Sequence, residues 1–333
     1  MEPLLQKILV VGGNGFVGSA VCKAALARGM QVTSISSSGR PYTTPKGHSP
    51  AWTSKVNWQA ADALKPESYA HLLPDKSAVV HTLGTLFEDT RYKNALKEGN
   101  LPALFSAFIS GSANSRSDTN PLKEPKKDGS YELLNRDSAL RVLRTFLDTQ
   151  PEVPLNNPRA FVFVSAEDIF RPFISARYIE TKREAELAIT DMVATRPDVR
   201  EVLIRPSLIY HPHFRPLTSP VAALLDFSAT VHSRLPRGLP TPAGLLRSIA
   251  SNTSSKSQGI HASLVQPSPL DAIANAMTIP PIHVDHVAEA ICTAVENERS
   301  DVRGVYDVRG MRELIGWHEK GQVHDSSRPL QHV

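Results

Sequence analysis

Cysteine is scarce: Cys22 and Cys292 are the only two in 333 residues, and both fall in stretches that read as helices. That scarcity argues against a disulfide framework or a cysteine-built metal centre and points to a reducing compartment. Long apolar runs are missing too, so no membrane-spanning helix is expected. Lys and Arg are scattered, not gathered into a stripe with interleaved aromatics, although the net charge is +4 and the pI about 9.0. Nucleic-acid binding is therefore not expected, and an anionic cofactor or a membrane surface accounts equally well for the mild basic excess. No G-x-S-x-G elbow marks a Ser/His/Asp hydrolase. His211 and His213 form an HPH pair and His283 and His286 an HVDH pair, with no third ligand evident, so no metal is expected. No cleaved targeting peptide is expected at the N-terminus, because the first strand begins near Lys7 and Glu2 is acidic. On sequence alone the default address is cytoplasmic.

The rest of the chain is organised around KILVVGGNGFVG at residues 7–18. Ile8, Leu9, Val10 and Val11 suit a central parallel strand covered on both faces. Gly12, Gly15 and Gly18 fit G-x-x-G-x-x-G, while Gly13, Gly15 and Gly18 fit G-x-G-x-x-G, so the spacing does not choose between two dinucleotide-binding patterns. The physics is shared. Backbone N–H groups from Gly12, Gly13, Asn14, Gly15, Phe16, Val17 and Gly18 can approach a pyrophosphate, and a helix over residues 16–28 presents its positive end to it. A second strand over 31–36 ends in Ser36-Ser37-Ser38-Gly39-Arg40, with no acid to hold a ribose 2′-hydroxyl. Ser37 and Arg40 thus favour a 2′-phosphate, hence NADP(H) over NAD(H).

Residues 41–55 read as a loop, 56–60 as a third strand followed by Asp62 at the adenine position, 66–73 as a short helix, and 78–83 as a fourth strand ending at Gly84 over the cofactor. His81 in that strand reads as a satisfied core residue. Residues 113–130 read as a polar insertion and 131–149 as a helix whose apolar face Asn135 interrupts. A strand over 160–164, a helix over 178–194 and a strand over 202–204 complete an α/β, Rossmann-type doubly wound parallel sheet at residues 5–206. Residues 207–281, dense in Pro and Ser, read as a smaller C-terminal substrate lobe, whose pieces 221–231 and 243–249 read as helices that line a pocket or rest on a membrane interface, with packing into the core the favoured reading. Residues 282–310 return to the sheet through a helix over 282–295 and a strand over 305–308, and 317–333 read as a disordered tail.

Tyr178 and Lys182 are four apart at a helix start and leave the same face. A neighbouring ammonium favours a phenolate, which a phenol of pKa about 10 otherwise resists near neutrality. Lys182 can also hold a nicotinamide ribose. The spacing alone is weak, because Tyr42 and Lys46 repeat it in a loop containing Pro45. Ser165 distinguishes Tyr178: it ends the AFVFV strand at the edge that faces the cofactor crevice, where a serine can hydrogen-bond a substrate carbonyl while tyrosine moves the proton.

With these residues in place, the chain resembles the extended or atypical short-chain dehydrogenase/reductase superfamily, of the NAD-dependent epimerase/dehydratase kind, over roughly residues 5–310. VVHTLG (79–84), LIRPSLIYHP (203–212) and IPPIHVDHVAEAI (279–291) agree with it. GGNGFVG, LNRDSA (134–139) and RYIETKREAE (177–186) are similar to a fungal mitochondrial subgroup associated with ubiquinone biosynthesis, related to the reductase-like accessory subunit of respiratory complex I. The resemblance implies cofactor contacts at Gly12, Gly15 and Gly18, a 2′-phosphate site at Arg40, and Ser165, Tyr178 and Lys182 as the catalytic set. It further implies a quinone-like or polyprenyl substrate, a ubiquinone-biosynthesis protein complex, and peripheral association with the matrix side of the mitochondrial inner membrane. The alternative it carries is a nucleotide-binding assembly or regulatory subunit without turnover.

Overall fold

The apolar runs become parallel strands because both faces of each are covered. β1 (Lys7–Val11), β2 (Gln31–Ser36), β3 (Asn57–Ala60), β4 (Ala78–His81), β5 (Arg159–Val164), β6 (Val199–Ile204) and a later β9 (Gly304–Tyr306) form one seven-stranded sheet in the order β3-β2-β1-β4-β5-β6-β9. Every neighbouring pair is parallel. The computed structural model describes residues 5–85, 131–152, 157–169, 175–212, 218–234, 241–254 and 269–317. The polar insertion at 113–130 and all of the tail except Trp317 lie outside them.

α1 (Phe16–Ala27) covers one face of the sheet together with α7 (Val284–Val295) and α8 (Val308–Leu314). α2 (Ser138–Asp148) and α3 (Ala176–Val193) cover the other. Ile8, Leu9 and Val10 have no exposed surface, and each such aliphatic stabilises the fold by about 1.5–3 kcal/mol relative to an exposed one. Between β6 and α7 the chain makes a small parallel pair, β7 (Ile209–Tyr210) with β8 (Ile282–His283), around an excursion through α4 (Thr218–Arg234), α5 (Pro242–Ser254) and α6 (Pro269–Thr278). No helix among the described residues is long and apolar enough to cross a membrane.

Several local expectations change. Residues 66–73 form two 3-10 turns, Pro66–Ser68 and Ala70–Leu72, instead of one helix, and Ala51–Lys55 adds a third within the expected loop. The segment from 282 begins as strand, and helix starts only at Val284, because His283 caps it by accepting from the Asp285 backbone N–H. The chain enters α2 through a π-helical turn, Glu132–Asp137. In the lobe, Phe227 is 68% and Leu245 56% exposed, with Val231 and Ile249 also exposed, so these side chains are not the core residues expected at 221–231 and 243–249.

Candidate functional site

The glycine loop joins β1 to α1, and each glycine has its own reason to be there. Gly12 has φ +86°, which favours glycine, and its N–H donates to the Ile35 carbonyl at 2.8 Å. A Cβ on Gly13 would meet Ser34 Oγ at 2.3 Å, and one on Gly18 would meet the Gly12 carbonyl oxygen at 2.3 Å and Gly13 Cα at 2.7 Å. These two contacts let α1 press against the loop and β2. Gly15 differs: it is exposed, has extended backbone, and a Cβ there would meet only the Gly12 oxygen, at 3.2 Å. It is the N-cap of α1, no side chain caps that helix end, and no acid lies in its first turn. A positive helix end fronted by an exposed glycine fits a pyrophosphate. Phe16 and Val17 are partly buried behind it, with Val17 packed on the core.

The ends of β2 and β3 lie beside this loop. Asn14 Nδ2 donates to Ser38 Oγ at 3.5 Å, and the same oxygen accepts from the Arg40 backbone N–H at 3.3 Å. Ser37 and Arg40 are exposed there, leaving a guanidinium and no carboxylate between residues 36 and 40. Asp62 is exposed beyond β3, with one carboxylate oxygen accepting from the Leu64 N–H at 3.0 Å. That bond makes it a turn-former in its own right.

At the ends of β4 and β5 the site is built around Lys182, which is 2% exposed. Its Nζ donates to the Val164 carbonyl at 2.8 Å and the Leu83 carbonyl at 3.5 Å, and lies 4.6 Å from the Phe163 ring centroid. Burial pushes the ammonium down to about 7, partly opposed by Glu186. A Cβ on Gly84 would lie 3.0 Å from both Lys182 Nζ and Asn135 Oδ1, so the three are neighbours. Asn135, fully buried on the π-helical turn, accepts from the Thr85 N–H at 2.9 Å and donates to the Thr85 carbonyl at 3.2 Å. The wider turn thus presents an amide to the chain leaving β4, a use typical of such bulges.

His81 is fully buried but only half satisfied. Ser138 Oγ, which also donates to the Leu134 carbonyl, meets His81 Nε2 at 3.1 Å, while Nδ1 has no hydrogen-bond partner. Ser138 has one proton to give, so the proton on the shared contact sits on Nε2. Burial first and the Lys182 charge second push this imidazole down to about 3.

Ser165, 3% exposed, continues the sheet by donating its N–H to the Ile204 carbonyl. Its hydroxyl accepts from Arg183 Nη1 at 3.2 Å. Arg183 also donates to Glu186 at 2.7 Å and to the Ala166 carbonyl at 2.9 Å, and Arg205 grips the buried Glu186 carboxylate from the other side. Tyr178 is partly buried, with its ring 6.2 Å from that of Tyr131. Burial holds its phenol well above the ordinary range, Tyr131 reinforces this, and Arg183 opposes it. The cation that lowers this phenol is therefore Arg183, not Lys182 as the four-residue spacing suggests. Arg177, bonded to Glu132 at 2.6 Å and Glu184 at 2.7 Å, fastens the start of α3 to the π-helical turn.

The structure brings Lys182, Gly84 and Asn135 together and links Ser165 to Glu186 through Arg183. Among the described residues no hydrogen bond joins Ser165 to Tyr178. Sequence reasoning missed Asn135, Arg183, Glu186 and Arg205 as site residues. The available signals were a polar residue on an apolar helical face and an i, i+3 Arg-Glu pair directly after Lys182.

Residues 8–100 match the NAD dependent epimerase/dehydratase family. The MIOREX complex component 2 of Saccharomyces cerevisiae is 34% identical over 215 residues, which are 63% of this chain and 75% of that protein. An uncharacterized chloroplastic protein of Arabidopsis thaliana is 36% identical over 102 residues, 31% of this chain and 32% of its own length. Among solved structures, the 3-oxoacyl-[acyl-carrier protein] reductase of Brucella melitensis in complex with NAD aligns over 95% of this chain and 99% of its own, with a TM-score of 0.54 at 11% identity, a likeness of fold. With a glycine loop shaped for a pyrophosphate at the head of a doubly wound parallel sheet, the chain belongs to the NAD dependent epimerase/dehydratase family.

Proposed function

We propose that this chain is an NADP(H)-preferring reductase-like protein acting in or beside mitochondrial ubiquinone biosynthesis, on the matrix side of the inner membrane. The observation that carries the nucleotide half is the bare N-terminus of α1 behind exposed Gly15. The preference for the phosphorylated form rests on Arg40 and on the lack of an acid between residues 36 and 40. The pathway and the address rest on the resemblance of the 134–139 and 177–186 segments, and a place in a protein assembly on a relative named as a complex component. The bound dinucleotide supplies the hydride chemistry. Tyr178 transfers the proton, Ser165 orients the substrate oxygen, and Lys182 exchanges its carbonyl partners for the nicotinamide ribose. The 207–281 lobe receives a quinone-like or polyprenyl substrate.

A second reading takes two features as signs of an idle site: Ser165 Oγ is held by Arg183, and burial raises the Tyr178 phenol instead of lowering it. In it the nucleotide is structural and the protein is an assembly or regulatory subunit of a quinone-related or respiratory complex. Tyr178→Phe separates the readings. For the enzyme, the variant binds nucleotide like the parent yet fails to restore quinone levels in a null strain; full restoration removes the acid/base role. Calorimetric titration with NADPH and NADH checks the shared premise, and no affinity for either sinks both readings.

A further inference from the structure

The motif that the nucleotide site leaves unused is HVDH together with the histidine after β7. Parallel pairing puts Tyr210 opposite His283, so His211, one residue on, arrives beside the His283 ring, with centroids 5.0 Å apart. His283 Nδ1 accepts from the Asp285 backbone N–H at 3.2 Å, which fixes a lone pair on that nitrogen. The same Nδ1 lies 3.7 Å from Asp285 Oδ2. A lone pair and a carboxylate therefore face each other, an arrangement that a cation relieves. His211 brings a third donor: one ligand atom from each of His211, His283 and Asp285 lies within 4.8 Å of the other two.

We propose that His211, His283 and Asp285 form a binding site for a divalent transition-metal ion of the zinc type. Tetrahedral ligands at roughly 2.0–2.1 Å from an ion stand about 3.3 Å apart, so the three donors close by about 1.5 Å at most, within the reach of side-chain torsions. Nδ1 of His283 already carries its lone pair and needs no deprotonation to bind; the ion replaces its long bond to the Asp285 N–H. Two imidazoles and one carboxylate suit a borderline transition metal and not the all-oxygen shells of magnesium or calcium. Three protein ligands leave one tetrahedral position open. The Tyr210 ring stands edge-on to His283 at 5.4 Å, and His286, itself 4.5 Å from Trp317, closes the other side at 5.7 Å. This wall limits how far the ligands swing. The site joins the two strands that bracket the excursion through α4, α5 and α6, so an ion there ties the lobe's entry to its exit. None of this depends on the nucleotide.

The full chain, freed of metal with a chelator, is titrated with ZnCl2 and separately with MgCl2, and bound metal is counted by mass spectrometry. One zinc per chain is expected, with no magnesium bound. At a hundredfold excess over Kd the melting temperature rises by roughly 5 °C. Asp285→Asn and His211→Gln each weaken zinc binding by at least about tenfold. The Asp285 side chain is 47% exposed, so its variant melts like the parent in chelator and a lost affinity is read against an intact fold. Zinc bound at well under one per chain, or bound equally well by Asp285→Asn, overturns the proposal.

Discussion

Replacing Gly15 with alanine separates what the glycine loop does for the fold from what it does for a ligand. Gly15 has φ −81° and ψ 177°, which alanine adopts without strain, and the new Cβ meets only the Gly12 oxygen, at 3.2 Å. Losing glycine at an N-cap costs a few tenths to about 1 kcal/mol, and restricting the unfolded chain returns about 0.4–1 kcal/mol. Stability therefore changes by less than about 1 kcal/mol. The methyl stands on the exposed rim where a pyrophosphate approaches the helix N–H groups, and overpacking of about 1–3 kcal/mol lowers dinucleotide affinity roughly 5- to 150-fold. Gly18→Ala behaves in the opposite way. Its Cβ meets backbone atoms at 2.3 and 2.7 Å that cannot swing aside, and the helix-propensity gain of about 1 kcal/mol does not offset the displacement of α1 from the loop. Urea unfolding and calorimetric titration with NADH and NADPH read both variants. Gly15→Ala binding within twofold of the parent, or Gly18→Ala as stable as Gly15→Ala, refutes the reasoning.

Two further outcomes follow from the buried polar groups. Lys182 and His81 both have folded pKa values below their ordinary ones, about 7 and about 3, so the unfolded chain binds more protons and stability rises with pH across two windows, 3 to 6.5 and 7 to 10.5, each by at most about 1.4 kcal/mol per pH unit; in urea melts against pH, Lys182→Met abolishes the upper limb and shortens the lower one, because the Lys182 charge contributes to the His81 shift. Asn135→Ala removes both of its hydrogen bonds to the Thr85 backbone and costs about 1–3 kcal/mol by urea unfolding, whereas a loss under about 0.5 kcal/mol means other partners take over both bonds.

The sheet was legible because a strand buried on both faces is a short apolar run, as at residues 8–11 and 160–164, and because glycines stand where β1 gives way to α1. The capping of α7 by His283 was not legible: a side-chain nitrogen accepting from a backbone N–H leaves no periodic trace, so strand and helix merged into one apolar segment. The lobe misled for a related reason. Phe227 and Val231, like Leu245 and Ile249, are four apart, which reads as a buried face, yet all four are exposed; spacing tells which residues share a face and not which way it points. Arg183 escaped notice because Tyr178 and Lys182 drew the chemistry toward the four-residue pair, while the charge that acts on the phenol sits one residue later.

The two halves of the site are held by different physics, and this bears on the choice between catalysis and assembly. The glycine loop is fixed by backbone contacts that few substitutions can relax. The half proposed to be catalytic hangs on side chains: Arg205 and Arg183 share the Glu186 carboxylate, and Arg183 then reaches Ser165. A hydroxyl that accepts from a guanidinium still has its own proton to give, and the charge-assisted bond polarises it into a stronger donor. In the proposed reaction Ser165 keeps that proton and donates a hydrogen bond with it to the substrate oxygen, so the Arg183 contact, which looks like occupation of the site, prepares Ser165 for its orienting role. The raised Tyr178 phenol is consistent with the same direction of chemistry. A phenol that stays protonated near neutrality holds the proton that the proposed reduction delivers to a developing alkoxide.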